Sequence, residues 1–106
     1  MGVSGYLLFN GSGRLVELRE EAHRVASILG DEGLADEIYR LSLEIMDKYI
    51  VNANPASLVR AVAYVVLRRR NEARRAAAAL IDTDDSWMAL IDAVEGAIDR
   101  INGDNH

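Results

Sequence analysis

The sequence predicts an all-α domain built of five helices. Apolar residues recur at three- and four-residue spacing through most of positions 15–101, the single proline stands at a helix start, and no strand of any length competes with this pattern. The strongest signal is the stretch 54–70, NPASLVRAVAYVVLRRR. Asn54 is the predicted N-cap, with Ser57 as an alternative, and Pro55 suits the first helical position because an N–H there has no intrahelical partner. Every residue from 61 to 67 is apolar or aromatic. A helix without a polar face is buried, so this third helix is predicted to lie at the centre with the others around it. The run falls short of the about 20 apolar residues that cross a bilayer, and Arg68, Arg69 and Arg70 end it.

At 106 residues, 50% hydrophobic and 27% charged, the chain is expected to form one domain that buries its core without metals or disulfides. It has no cysteine, which excludes disulfides, thiol catalysis and cysteine-based zinc sites. The opening MGVSGYLLFN lacks the basic region and long apolar run of a signal peptide and the spacing of a myristoylation signal, so a cytoplasmic protein is expected.

The net charge of −5 is unevenly spread. Residues 55–80 hold Arg60, Arg68, Arg69, Arg70, Arg74 and Arg75 against Glu72 alone, a net +5, whereas residues 81–106 sum to −6 and residues 1–54 to −4. The protein is an acidic body with one basic belt. Eleven of its twelve basic residues are arginine, the side chain suited to bidentate contact with carboxylate or phosphate.

Along the chain, residues 1–14 read as an arm. Tyr6, Leu7, Leu8 and Phe9 form a short apolar run between Gly5 and Asn10-Gly11-Ser12-Gly13, expected as a strand or extended segment that covers a groove, pairs with its copy or binds a partner, or else as a flexible arm that stays disordered or packs across the bundle. Gly11-Ser12-Gly13 reads as a hinge; as an anion loop it lacks a preceding parallel strand, a third glycine and a Lys-Ser/Thr ending. The first helix is expected over 15–29, with Leu15, Leu18, Ala22, Val25 and Leu29 inward, Glu17, Glu20, Glu21 and Arg24 outward, and Gly30 as its C′ residue. The second begins near Asp31 and Glu32, which suit the positive end of the helix dipole, and carries Leu34, Ile38, Leu41, Ile45 and Tyr49 inward, widened by Ala35, Leu43 and Met46. After the third helix comes a short alanine-rich fourth over 73–81. Asp85 or Ser86 caps the fifth, whose inner stripe is Trp87, Leu90, Ile91, Val94, Ile98 and Ile101. Gly103 ends it, leaving a polar tail at 103–106.

Arg68, Arg69, Arg70, Arg74 and Arg75 are the candidate partner- or nucleic-acid-binding residues, since each phosphate contact adds to a salt-dependent affinity. Three of them also end a helix, where cations favour the last carbonyls, and they are positioned to pair with acidic residues of the first and fifth helices. No aromatic residues interleave with them for base stacking. His23 among Glu20, Glu21 and Arg24 reads as a solvated helix face rather than a metal or acid–base site. Asp82, Asp84 and Asp85 lack the glycine and terminal glutamate of a calcium loop and read as caps. Trp87 is expected in the core or at its rim. No metal and no cofactor is expected, and with two histidines and no cysteine an enzyme is not.

Residues 61–69, AVAYVVLRR, are similar to the third-helix pattern of the cyclin-like repeat of transcription factor IIB and its archaeal counterpart, transcription factor B. Ala35 with Tyr39-Arg40 resembles the family's second-helix pattern, and residues 24–30, RVASILG, resemble the end of its first helix. The likeness covers about residues 15–102, one repeat where the family normally has two. It implies an orthogonal, cyclin-like five-helix bundle acting without catalysis as a transcription-related adaptor or regulator, with a protein partner and with DNA as a second candidate through the Arg belt. The chain departs from the family at the loop 51–54, which is uncharged where the family's DNA-contacting loop is often basic. It departs again at the acidic turn 82–85, and it has no zinc ribbon. The alternative is a structural or self-assembling helical protein without nucleic-acid contact, driven by the apolar arm.

Overall fold

The computed structural model describes residues 2–50, 53–70, 74–81 and 85–104, with side chains excepted at 2–12, 74 and 104. Among the described residues it is all-helical, with five α-helices and no strand. They are α1 (Gly2–Leu29), α2 (Gly33–Lys48), α3 (Pro55–Arg68), α4 (Arg74–Ala77), which tightens into a 3₁₀ turn (Ala78–Leu80), and α5 (Ser86–Asp104).

The helix ends follow from local chemistry. Asn54, in extended conformation, accepts hydrogen bonds at Oδ1 from the N–H groups of Ala56 and Ser57 at 3.0 and 3.2 Å, and Pro55 follows as the first helical residue. Gly30 has φ +71°, and its N–H donates to Ser27 O while that of Asp31 donates to Ala26 O, the paired closure that a left-handed C′ residue makes. At α2 the capping oxygen comes from Asp31, whose Oδ1 accepts from Gly33 N–H at 3.1 Å, rather than from Glu32.

Three expected helices have corrected boundaries. The first helix begins at Gly2 instead of residue 15, so the backbone of residues 6–9 is neither strand nor extended, and Gly11-Ser12-Gly13 lies inside a helix rather than forming a hinge or an exposed helix start. Extending a helix already packed downstream adds one hydrogen bond per residue without a new nucleus, which offsets the roughly 1 kcal/mol that each glycine costs. The side chains of Tyr6, Leu7, Leu8 and Phe9 lie outside those described. The fourth helix is a single α-turn that narrows to 3₁₀ before Ile81, which turns extended. The fifth helix runs one residue past Gly103. The expected loop residues Val51 and Asn52, the acidic turn at Asp82, Thr83 and Asp84, and the terminal His106 lie outside the described residues.

The core follows the predicted stripes. Leu18, Ala22 and Val25 of α1, Ile38 and Ile45 of α2, and Trp87, Ile91 and Val94 of α5 are buried, and α3 contributes Leu58, Val59, Ala61, Val62, Ala63, Val65 and Leu67. Helices α1, α2, α4 and α5 all pack on α3. The run 61–67 nevertheless keeps one wet edge: Tyr64 and Val66 are only partly buried, and Ser57, Arg60, Tyr64 and Arg68 form an outward line at three- and four-residue spacing. Glu21, expected outside, is 9% exposed because it adjoins the Leu18, Ala22 and Val25 stripe, and its Oε1 accepts from Arg24 at 3.4 Å. Leu15, expected inside, is 37% exposed. Ser42 is fully buried with no hydrogen-bond partner for its hydroxyl.

Gly30→Ala is expected to cost about 1–2 kcal/mol, because an L side chain resists the left-handed conformation. Gly96→Ala, in mid-helix with open space where the methyl would sit, should add about 0.5–1 kcal/mol. Urea midpoints that move in the same direction for the two variants would contradict this account. By the same measurement Ser42→Ala should be neutral to about 2 kcal/mol stabilising, since it removes an unpaired buried hydroxyl.

Candidate functional site

The basic belt begins where α3 runs out of apolar residues. Arg68 sits in the last helical position, with its guanidinium 5.6 Å from the Tyr64 ring centroid and Nη1 3.6 Å from Glu95 Oε1 on α5. Arg69 lies 3.0 Å from Asp99 Oδ1, one turn further along α5. Arg70 Nη2 donates to Glu37 Oε1 on α2. The expected acidic partners on the first helix are thus replaced by α2, while those on the fifth are found. The reason lies in the chain leaving α3: the Arg69 and Arg70 N–H groups still donate to Val65 O and Leu67 O, so three successive side chains fan around the helix end and reach two different neighbours.

These side chains remain 39–49% exposed, so each pair contributes about 0–1 kcal/mol and is screened by salt. Their larger effect is on the belt's availability: a phosphate would have to displace a carboxylate already in place. Arg75 is exposed on α4, and the Arg74 side chain lies outside those described. Arg68 has a second anchor, because the Tyr64 ring beneath it meets Trp87 edge-on, with centroids 5.6 Å apart and planes at 66°. Trp87 is 5% exposed and belongs to the core.

A different surface lies between α1 and α2. Leu15 and Val16 are exposed, Val16 by 51%, and with Arg19 and Tyr39 they line a shallow depression of about 210 Å³. The Arg19 guanidinium stands 5.2 Å from the Tyr39 ring centroid. An adjoining groove of about 320 Å³ is lined by Arg19, His23, Glu32, Ala35, Asp36 and Tyr39. His23 is therefore on an exposed wall, and no cluster of three potential metal ligands occurs among the described residues. Sequence reading missed Val16. The available signal was its position: it falls off the inward stripe that Leu18, Ala22 and Val25 define.

Along α2, Asp36, Glu37, Arg40, Leu41 and Glu44, with Asn102 of α5, line a groove of about 530 Å³. Ion pairs already occupy its charges: Arg40 with Asp36 at 3.2 Å, Lys48 with Glu44 at 3.4 Å, and Glu37 with Arg70. Among the described residues no helix is long and apolar enough to cross a membrane.

Arg69→Ala and Arg70→Ala are each expected to cost less than about 1 kcal/mol, with the loss disappearing near 1 M salt. Arg68→Ala should cost more, by about 0.5–1 kcal/mol that salt does not remove, because its contact with Tyr64 is lost as well. Urea denaturation at low and high salt separates the two contributions. Comparison of the chain with protein-family models, curated proteins and solved structures finds no match.

Proposed function

We propose that the chain is a non-catalytic interaction module that binds a protein partner, in an arrangement resembling one cyclin-like repeat of transcription factor IIB, with α3 at the centre of an orthogonal bundle. The observation that carries the preference for protein over DNA is the state of the belt. Arg68, Arg69 and Arg70 each face a carboxylate of another helix, whereas Leu15 and Val16 remain outside the core beside Tyr39. Counterion release rewards a basic surface free to meet phosphate, and internal ion pairs reduce that reward. An exposed apolar pair beside an aromatic ring and an arginine has the composition that protein interfaces favour. The transcription connection rests on the resemblance of residues 61–69, and a cytoplasmic site of action accompanies it.

Fluorescence anisotropy of labelled duplex DNA, alone and bound to TATA-binding protein, across a salt series tests this reading. The chain should leave the naked duplex unbound in the micromolar range and bind the preformed complex. Binding to naked duplex that weakens with salt and is lost in an Arg74→Glu/Arg75→Glu variant would assign the belt to nucleic acid instead. Failure to bind either target would remove the transcription connection.

A further inference from the structure

Helix α5 carries two opposite charges on its outer face that the fold does not use. Asp92, Ala93, Gly96 and Arg100 are exposed there, and with Tyr49 and Ile50 at the end of α2 they line a shallow groove of about 280 Å³. The neighbouring acids of the helix are engaged, Glu95 with Arg68 and Asp99 with Arg69. Asp92 and Arg100 are not: neither side chain has an ion pair or hydrogen bond among the described residues. Nor do they meet each other, because two turns of helix hold them roughly 12 Å apart along the axis.

We propose that this face of α5 packs antiparallel on α5 of a second copy of the chain, about a two-fold axis through Gly96. At 3.6 residues per turn and 1.5 Å per residue, Asp92 and Arg100 lie about 6 Å to either end of Gly96 and about 40° to either side of it. A two-fold axis pointing outward from Gly96 reverses both displacements at once, so Asp92 of each copy comes to stand over Arg100 of the other. The face is therefore its own electrostatic complement, which an isologous interface requires. At the axis Gly96 has no side chain, and nothing stands within 4 Å of where its Cβ would be. The two helices approach there without a collision, and Tyr49 and Ile50, both partly buried, add apolar surface beside the crossing. One helix on another is a small interface of the transient kind, so the dimer forms only as concentration rises. It uses neither Leu15, Val16 and Tyr39 nor Arg68, Arg69 and Arg70, on which the partner-binding reading rests, and either can hold without the other.

Sedimentation velocity of the full chain over a concentration series reaching about 1 mM reads this directly. The 11.7 kDa monomer should pass to a species of twice that mass. Asp92→Arg and Arg100→Asp should each raise the dissociation constant at least about tenfold, because like charges then face each other twice, while the helical circular-dichroism signal is unchanged. The exchange variant Asp92→Arg/Arg100→Asp should dimerise like the parent chain. An equimolar mixture of the two single variants should likewise form a dimer, since every arginine again stands over an aspartate. A monomer at every concentration, a dimer indifferent to the single substitutions, or an exchange variant or mixture that stays monomeric would overturn the proposal.

Discussion

Residues 61–67 place no charged side chain on two successive turns of α3, and removing them from water is the constraint that the other helices meet. Ala61, Val62, Ala63, Val65 and Leu67 are buried against α1, α2, α4 and α5. Each buried valine or leucine contributes about 1.5–3 kcal/mol. The small residues among them shape the packing as well, because Ala61 and Ala63 are fully buried and allow neighbouring backbones to approach closely. The one edge left wet, at Tyr64, is covered in part by Trp87 and by the Arg68 guanidinium.

Polar contacts trim this core rather than hold it. The three ion pairs at the end of α3 together amount to less than one or two buried side chains, since each is half-exposed and screened. They tie the exit of α3 to α5 and α2 and engage Arg68, Arg69 and Arg70 of the belt within the molecule. Three arginines of a cluster that in the sequence looks available to phosphate are, in the folded chain, paired with carboxylates of α5 and α2, while Leu15 and Val16 stay exposed on α1.

Helix α1 shows how a locally poor helix is carried by its neighbours. Gly5, Gly11 and Gly13 would each disfavour helix in isolation, yet its C-terminal half is anchored by Leu18, Ala22 and Val25 and closed at Gly30, and the helix runs on from there. The result is the longest helix among the described residues, 28 residues against 14 to 19 for α2, α3 and α5.

Much of the fold was legible in the sequence because helix periodicity and capping are local. Asn54 and Pro55 at the start of α3, Gly30 at the end of α1, and the inward positions of Leu18, Ile38, Ile45, Ile91 and Val94 follow from spacing and side-chain chemistry alone. The candidate site was only half legible. The arginines could be named, but which carboxylate each would meet depends on how α2 and α5 cross the end of α3, and no local pattern encodes that crossing. Glu21 and Leu15 changed sides for a related reason: both lie at the borders of the α1 stripe, where the neighbouring helix decides what water reaches. The sequence by itself determined that the chain is helical, where α1 ends and α3 begins, and the centre of each apolar stripe, because those depend on residues within a few turns. Only the tertiary structure decided which charges cancel and which apolar side chains stay outside, because those depend on distances between residues far apart in the chain.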